Sequence, residues 1–308
     1  MTPQVEIDPM GTWLSKFQVA VPGVKEIDTL LPGSTAHKIP VRIHAPEVPL
    51  PNNGSPLVVI MHGGGFSAGG LDSETQASRL LAKELGTVVV NVDYRLAPQH
   101  PFPAAPNDCW DATKWAHANA ATLGADPSKG FILFGTSSGG NLAAVCAVLA
   151  RDTKLSPPVT GLCLLVPCVF DWRDIPEKYK DDIKSYEEQK DAATLNKKAI
   201  DRITVNYKPD GSSTLFNLYA PGATRAGLPP TFLQICELDP LRDEAVVFER
   251  ELREELNIPT KKLVYPNQPH GFWAFFPHLE ESKTFRMDTL EGVKWLMGFV
   301  GKEQNGTS

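Results

Sequence analysis

The stretch Phe131-Ile132-Leu133-Phe134-Gly135-Thr136-Ser137-Ser138-Gly139-Gly140, followed by Asn141-Leu142-Ala143-Ala144-Val145-Cys146-Ala147-Val148-Leu149-Ala150, decides the fold. Four apolar residues suit a central parallel strand, and the small-residue apolar run after the glycines suits a helix packed on a sheet. Ser137 falls at the apex of the turn between them. A turn this tight crowds its neighbours, so the positions two before and two after the serine must be nearly without side chain. Gly135 and Gly139 meet that need. The pattern predicts a serine held above the carboxyl end of a sheet, at the amino end of a helix whose free N–H groups favour developing negative charge. An ordinary strand-to-helix turn uses glycines in the same way, so the surrounding sequence has to decide.

Working outward, Leu57–Met61 and Val88–Val92 read as buried strands with a helical stretch at 73–85 between them. A helix at about 108–121 leads into the Ser137 strand. Further strands follow at 162–166, 231–236 and 262–265, each with a helix after it or across from it. Repeated strand–helix units predict an α/β class protein with a mostly parallel, doubly wound sheet and sites at the carboxyl ends of its strands. The alternation in Lys38-Ile39-Pro40-Val41-Arg42-Ile43 predicts outer antiparallel strands ahead of this core. Residues 169–227 break the rhythm with a charged run of helical character, too long for a simple connection. One domain over 1–308 is expected, with cap elements at about 1–24 and 169–227, the second serving as a lid over Ser137.

The 308 residues carry a formal net charge of -6, which argues against a nucleic-acid or anionic-membrane surface. The five cysteines show no C-x-x-C pair or zinc-ligand spacing, so buried reduced thiols are expected. The first ten residues lack the basic start and apolar run of a secretory signal. These features together predict a soluble cytoplasmic protein.

A serine hydroxyl is a poor nucleophile at neutral pH and needs a histidine base oriented by a carboxylate. Among seven histidines, His270 follows the last predicted strand, where a loop returns it to the strand ends. Asp239, in Glu237-Leu238-Asp239-Pro240, follows a strand and precedes a proline, which also suits it to cap a helix. Glu237 competes for the acid role. Ser137, Asp239 and His270 stand in the chain order serine, acid, histidine expected on an α/β-hydrolase fold. Met61-His62-Gly63-Gly64-Gly65-Phe66 supplies a glycine loop whose N–H groups, with that of Ser138, suit an oxyanion. A phosphate-cradling loop would need a lysine that is absent, and His62 is expected to shape the loop.

With Asp93-Tyr94-Arg95-Leu96-Ala97-Pro98, Pro101-Phe102-Pro103-Ala104 and His270-Gly271-Phe272 added, the chain from about 56 to 300 resembles the hormone-sensitive lipase family of α/β-hydrolases. The resemblance implies carboxylic ester hydrolysis with Ser137 as nucleophile, His270 as general base and acid, and Asp239 as its partner. It implies an oxyanion hole from Gly64, Gly65 and Ser138, with Gly63 in reserve, and neither metal nor organic cofactor. Thr136 stands where many members have aspartate, which keeps Glu237 in view, and Gln99 replaces the usual glutamate of an ion pair. The early start of the glycine loop predicts a short amino-terminal cap and an open pocket.

Phe66, Trp172, Phe272 and Trp273, with Phe275 and Phe276, are expected to form an apolar wall or to glue the cap to the core. Short to medium acyl esters, of an aromatic or polyketide-like alcohol, fit such a wall. The partner expected is a small-molecule ester, with no nucleic acid and no stable membrane insertion, and with a homodimer left open. A dehydratase working in the same pocket and a ligand-binding receptor are the competing readings. The related receptors lack the histidine that stands here as His270.

Overall fold

The computed structural model describes residues 21–48 and 54–300. Eight strands form one sheet in the order β1-β2-β4-β3-β5-β6-β7-β8. They are β1 (Val24–Pro32), β2 (Lys38–Pro46), β3 (Leu57–Met61), β4 (Val88–Val92), β5 (Phe131–Thr136), β6 (Gly161–Leu165), β7 (Thr231–Leu238) and β8 (Thr260–Pro269). β1 and β2 join antiparallel, and β4 through β8 run parallel to one another and to β3. Every strand from β3 to β6 is buried nearly end to end, because helices cover both faces.

Alternation within β3 shows how the two faces are shared. Leu57, Val59 and Met61 enter one core with Cys109 and Ala112 of α2 (Ala104–Ala118) and Leu142 and Val145 of α3 (Ser138–Asp152). Val58 and Ile60 enter the other. That second core holds Leu81 of α1 (Thr75–Leu85) and Phe285, Val293 and Leu296 of a long carboxyl-terminal helix, Glu280–Met297. A period of two along the strand puts neighbours on opposite faces, so one pentapeptide supports both layers.

Two expectations need correction. The helix placed at 108–121 begins four residues earlier, at Ala104, because Pro106 lies in its first turn, where a missing N–H costs nothing. The cap at 169–227 is mostly turns. Its helices are a single turn, α4 (Ser185–Glu188), and α5 (Lys197–Tyr207). Pro176, Pro209 and Pro221 with Gly211 and Gly222 interrupt any longer run. Of the proposed amino-terminal cap, residues 1–20 lie outside the described residues. The remaining helices are α6 (Arg242–Arg250), the short α7 (Phe272–Phe275) and α8, the Glu280–Met297 helix. All five cysteines are free, and four are buried.

Candidate active site

Ser137 links β5 to α3 with φ 55° and ψ −118°, a strained backbone for a residue with a side chain. Two observations explain why the chain holds it there. A Cβ on Gly135 would fall 2.0 Å from the Gly139 carbonyl oxygen, and one on Gly139 would fall 2.0 Å from that of Met61. Only glycines let α3 come this close to β3 and β5. Ser137 N–H donates to Leu165 O at 2.7 Å, which ties the apex to β6.

His270 follows β8, and its ring spans the gap from the elbow to β7. Its Nε2 lies 3.0 Å from Ser137 Oγ, and its Nδ1 lies 2.7 Å from Asp239 Oδ2. A carboxylate only accepts, so Nδ1 carries the proton and Nε2 faces the serine hydroxyl as acceptor. Asp239 is 1% exposed, and its other oxygen takes the Leu241 N–H at 2.9 Å. Leu241, not Asp239, occupies the cap position of α6, so the aspartate fixes a turn just ahead of the helix. Thr194 of the cap donates its hydroxyl to the His270 carbonyl at 2.7 Å. Glu237 does not reach the imidazole; its carboxylate accepts the Asn267 N–H at 2.6 Å.

The glycine loop follows β3 and faces the same space, and Gly63, Gly64, Gly65 and Ser138 line one cavity with Ser137 and His270. Gly64 has φ 120°, and a Cβ there would meet Ala68 O at 2.1 Å. Gly64 O in turn accepts the N–H groups of Ser67 and Ala68 at 3.1 and 3.0 Å, closing the turn. His62 shapes this loop: it is fully buried, stacks on Tyr94 at 4.2 Å and bonds Gly63 O through Nδ1 at 2.7 Å. Burial pushes its pKa down to about 4, so it is neutral. Arg95 forks onto Asp108 of α2 with bonds of 2.8 and 2.7 Å, while Gln99 is exposed.

The cavity encloses about 840 Å³ and is walled mainly by apolar side chains. Phe66, Trp172, Trp273 and Phe275 line it. Phe272 does not. It is fully buried in the second core against Tyr265, Trp273 and Phe285, because one residue along a helical turn rotates its side chain to the other side. Phe276 is half exposed and stands outside the lining.

Several lining residues went unread in the sequence. Ile200, Ile203, Thr204 and Tyr207 of α5 lie over the cavity at the i, i+3, i+4, i+7 spacing that marks one helical face. That period was the available signal, and Tyr207 stacks on Phe66 at 3.9 Å, which pins the cap to the glycine loop. Glu74 also lines the cavity, buried between the loop and the elbow. Burial raises its pKa to about 7, opposed by the Thr136 hydroxyl and the Gly63 N–H. No such sign attaches to Glu74 in the sequence, where it reads as the start of a helix.

Comparison with known proteins agrees with this architecture. A family model described as alpha/beta hydrolase fold matches residues 58–274. A versiconal hemiacetal acetate esterase of Dothistroma septosporum is 38% identical over 79% of this chain and 74% of its own. The carboxylesterase NlhH of Mycobacterium tuberculosis is also 38% identical, over 77% of this chain and 72% of its own. Among solved structures, a vibralactone cyclase superposes with a TM-score of 0.86 at 32% identity, covering 94% of this chain and 85% of that one.

Proposed function

The chain belongs to the carboxylesterase-like α/β-hydrolases and is an esterase-type hydrolase, and from that premise we propose that it cleaves short to medium acyl esters through a covalent acyl-serine. The observation that carries the reading is the relay from Ser137 Oγ through His270 to Asp239, at 3.0 and 2.7 Å, opening on an apolar cavity.

In the proposed reaction Ser137 Oγ attacks the ester carbonyl as its proton passes to His270 Nε2. The resulting imidazolium is stabilised by the buried Asp239 carboxylate, which also holds the ring's orientation. The tetrahedral oxyanion takes hydrogen bonds from the N–H groups of Gly64, Gly65 and Ser138, helped by the amino end of α3. His270 then returns the proton to the leaving alkoxide. Water, deprotonated by the same nitrogen, attacks the acyl-serine, and His270 returns that proton to Ser137 Oγ as the bond to the acyl group breaks and the acid leaves. None of these steps calls on a metal or organic cofactor.

A cavity of about 840 Å³ exceeds the needs of an acetyl group and suits an ester with a bulky apolar alcohol or a medium acyl chain. The versiconal hemiacetal acetate esterase favours the same direction, since its name describes an acetate, a small acyl group, on a hemiacetal. The test is hydrolysis of p-nitrophenyl acetate, butyrate, octanoate and palmitate by wild type and Ser137→Ala, with circular dichroism on both. Short esters should be preferred, and the folded variant should lose at least about 10⁴-fold in kcat. Turnover retained by folded Ser137→Ala would remove the serine from the mechanism, and a peak at palmitate would overturn the substrate class.

A further inference from the structure

The arginines of this protein are almost all paired. Arg42, Arg79, Arg95, Arg151, Arg173, Arg225, Arg242, Arg250 and Arg253 each meet a carboxylate. Arg202 is exposed to water. Arg286 fits neither group. It is partly buried on α8 and lines the same cavity as Ser137 and His270, with no acidic partner among the described residues. Its Nη2 donates to the Pro277 carbonyl at 3.0 Å, and its Nη1 is buried with no hydrogen-bond partner.

A guanidinium in this position is costly. Burying donor groups without acceptors forfeits their hydration, and the charge itself is disfavoured. Burial lowers the Arg286 pKa, with no neighbouring charge acting on it. Arginine stays protonated nevertheless, so the charge persists on a residue that lines the cavity. Much of the cavity wall is neutral: Ala77 and Leu80 of α1, Leu290 of α8 and Phe275 of α7 are apolar, and Gln76 carries no charge. The two carboxyls that line the cavity, Glu74 and Asp72, form no ion pair with Arg286.

We propose that Arg286 is a subsite for a carboxylate carried by the substrate, so that the preferred ester is anionic, with an apolar stretch between its carboxylate and its scissile bond. The inference rests on the hydrolase reading above and names the substrate class for that site. An incoming carboxylate in the cavity supplies the counter-charge that no described residue gives Arg286 and neutralises a charge already partly desolvated. Charge-assisted pairs of this kind are about twice as strong as neutral ones, and the planar fork fixes the orientation of the ligand. The apolar walls would hold the intervening chain.

The test compares monoethyl adipate with ethyl hexanoate, and a hexanoyl ester bearing a terminal carboxylate on its alcohol with hexyl hexanoate, for wild type, Arg286→Met and Arg286→Lys. In at least one pair the ratio of kcat/KM, charged over neutral, should fall by about tenfold or more in Arg286→Met, mainly through KM. Arg286→Lys should recover part of it. Ratios that match wild type in both variants and both pairs would overturn the proposal. Calorimetric binding of the same charged esters to Ser137→Ala, with and without Arg286→Met, reads the subsite without turnover. If wild type hydrolyses none of the four, the hydrolase reading fails while this binding difference still decides the subsite. Equal binding by both proteins would overturn it.

Discussion

The elbow and the cap face one another across the cavity and keep their shapes by opposite means. At the elbow backbone lies against backbone: methyl groups on Gly135 or Gly139 would meet carbonyl oxygens at 2.0 Å, atoms that belong to α3 and β3 and cannot step aside. Where the glycine loop meets the cap, a methyl on Gly65 would come 2.5 Å from Ile203 Cδ1, the end of a branched side chain on α5. Atoms near the reacting bond have no freedom, and those that face the rest of the substrate have a good deal. Such a division lets the cap change with the ester while the chemistry stays fixed.

The largest effect should therefore come from the elbow. Gly139→Ala forces β3 and α3 apart, with an expected cost of several kcal/mol and loss of turnover by at least about 10³-fold in whatever remains folded. Thermal denaturation and p-nitrophenyl butyrate hydrolysis check both. A Gly139→Ala protein as stable and active as wild type would mean that the elbow yields like the cap and that the contrast is false.

Glu74 tests the same contrast from the side-chain direction, since its carboxyl packs against Thr136 and Gly63 at the elbow. Tyr94 and Cys163 also feel it, and burial holds the protons on both. Its pKa rises from 4.5 to about 7 in the folded protein, so the protonated form is favoured there. The stability this gives is full below about pH 4.5 and is lost as pH rises through about 7. Glu74→Gln keeps a neutral side chain at every pH. Relative to wild type, the variant should gain stability between pH 5 and pH 8, by up to about 3 kcal/mol. Melting temperatures measured across that range give the difference, and a gap that is flat or narrows with rising pH would show that Glu74 is ionised throughout.

The contrast also explains what could be read in advance. Strands β3 to β8 were legible as apolar runs alternating with helical stretches, the elbow because its run ends at glycines that the backbone geometry demands, and Asp239 and His270 follow strands whose ends the sheet brings together. Cap structure was not legible, because the charged runs at 177–182 and 187–190 mark solvated surface more than continuous helix, and Pro176 and Pro209 bound the segment that holds them. Phe272 was misplaced because sequence adjacency to Trp273 says nothing about which way a side chain turns. Arg286 and Glu74 were invisible for a related reason. They reach the cavity only because α8 and α1 pack on one face of the sheet, a relation across more than two hundred residues.

The smallest effect, and the one that measures the softness of the cap, lies at Gly65 and Ile203. Gly65 has φ 59°, which an alanine adopts at a cost of about 1 kcal/mol, and Ile203 lies within 2.7 Å of the added methyl through its Cγ1 as well as its Cδ1. Gly65→Ala should thus lose modest stability and some kcat, as the loop N–H shifts from the proposed oxyanion position. Ile203→Ala removes the atoms in the way. If the clash is taken up by the side chain, the double variant should recover part of the loss, with a coupling of about 0.5–2 kcal/mol in a double-mutant cycle. Strict additivity would mean that the backbone conformation at Gly65, and not the cap above it, limits the loop. The glycine loop would then belong with the rigid elbow, and only the side chains beyond it, from Tyr207 to Trp172, would count as the adjustable wall.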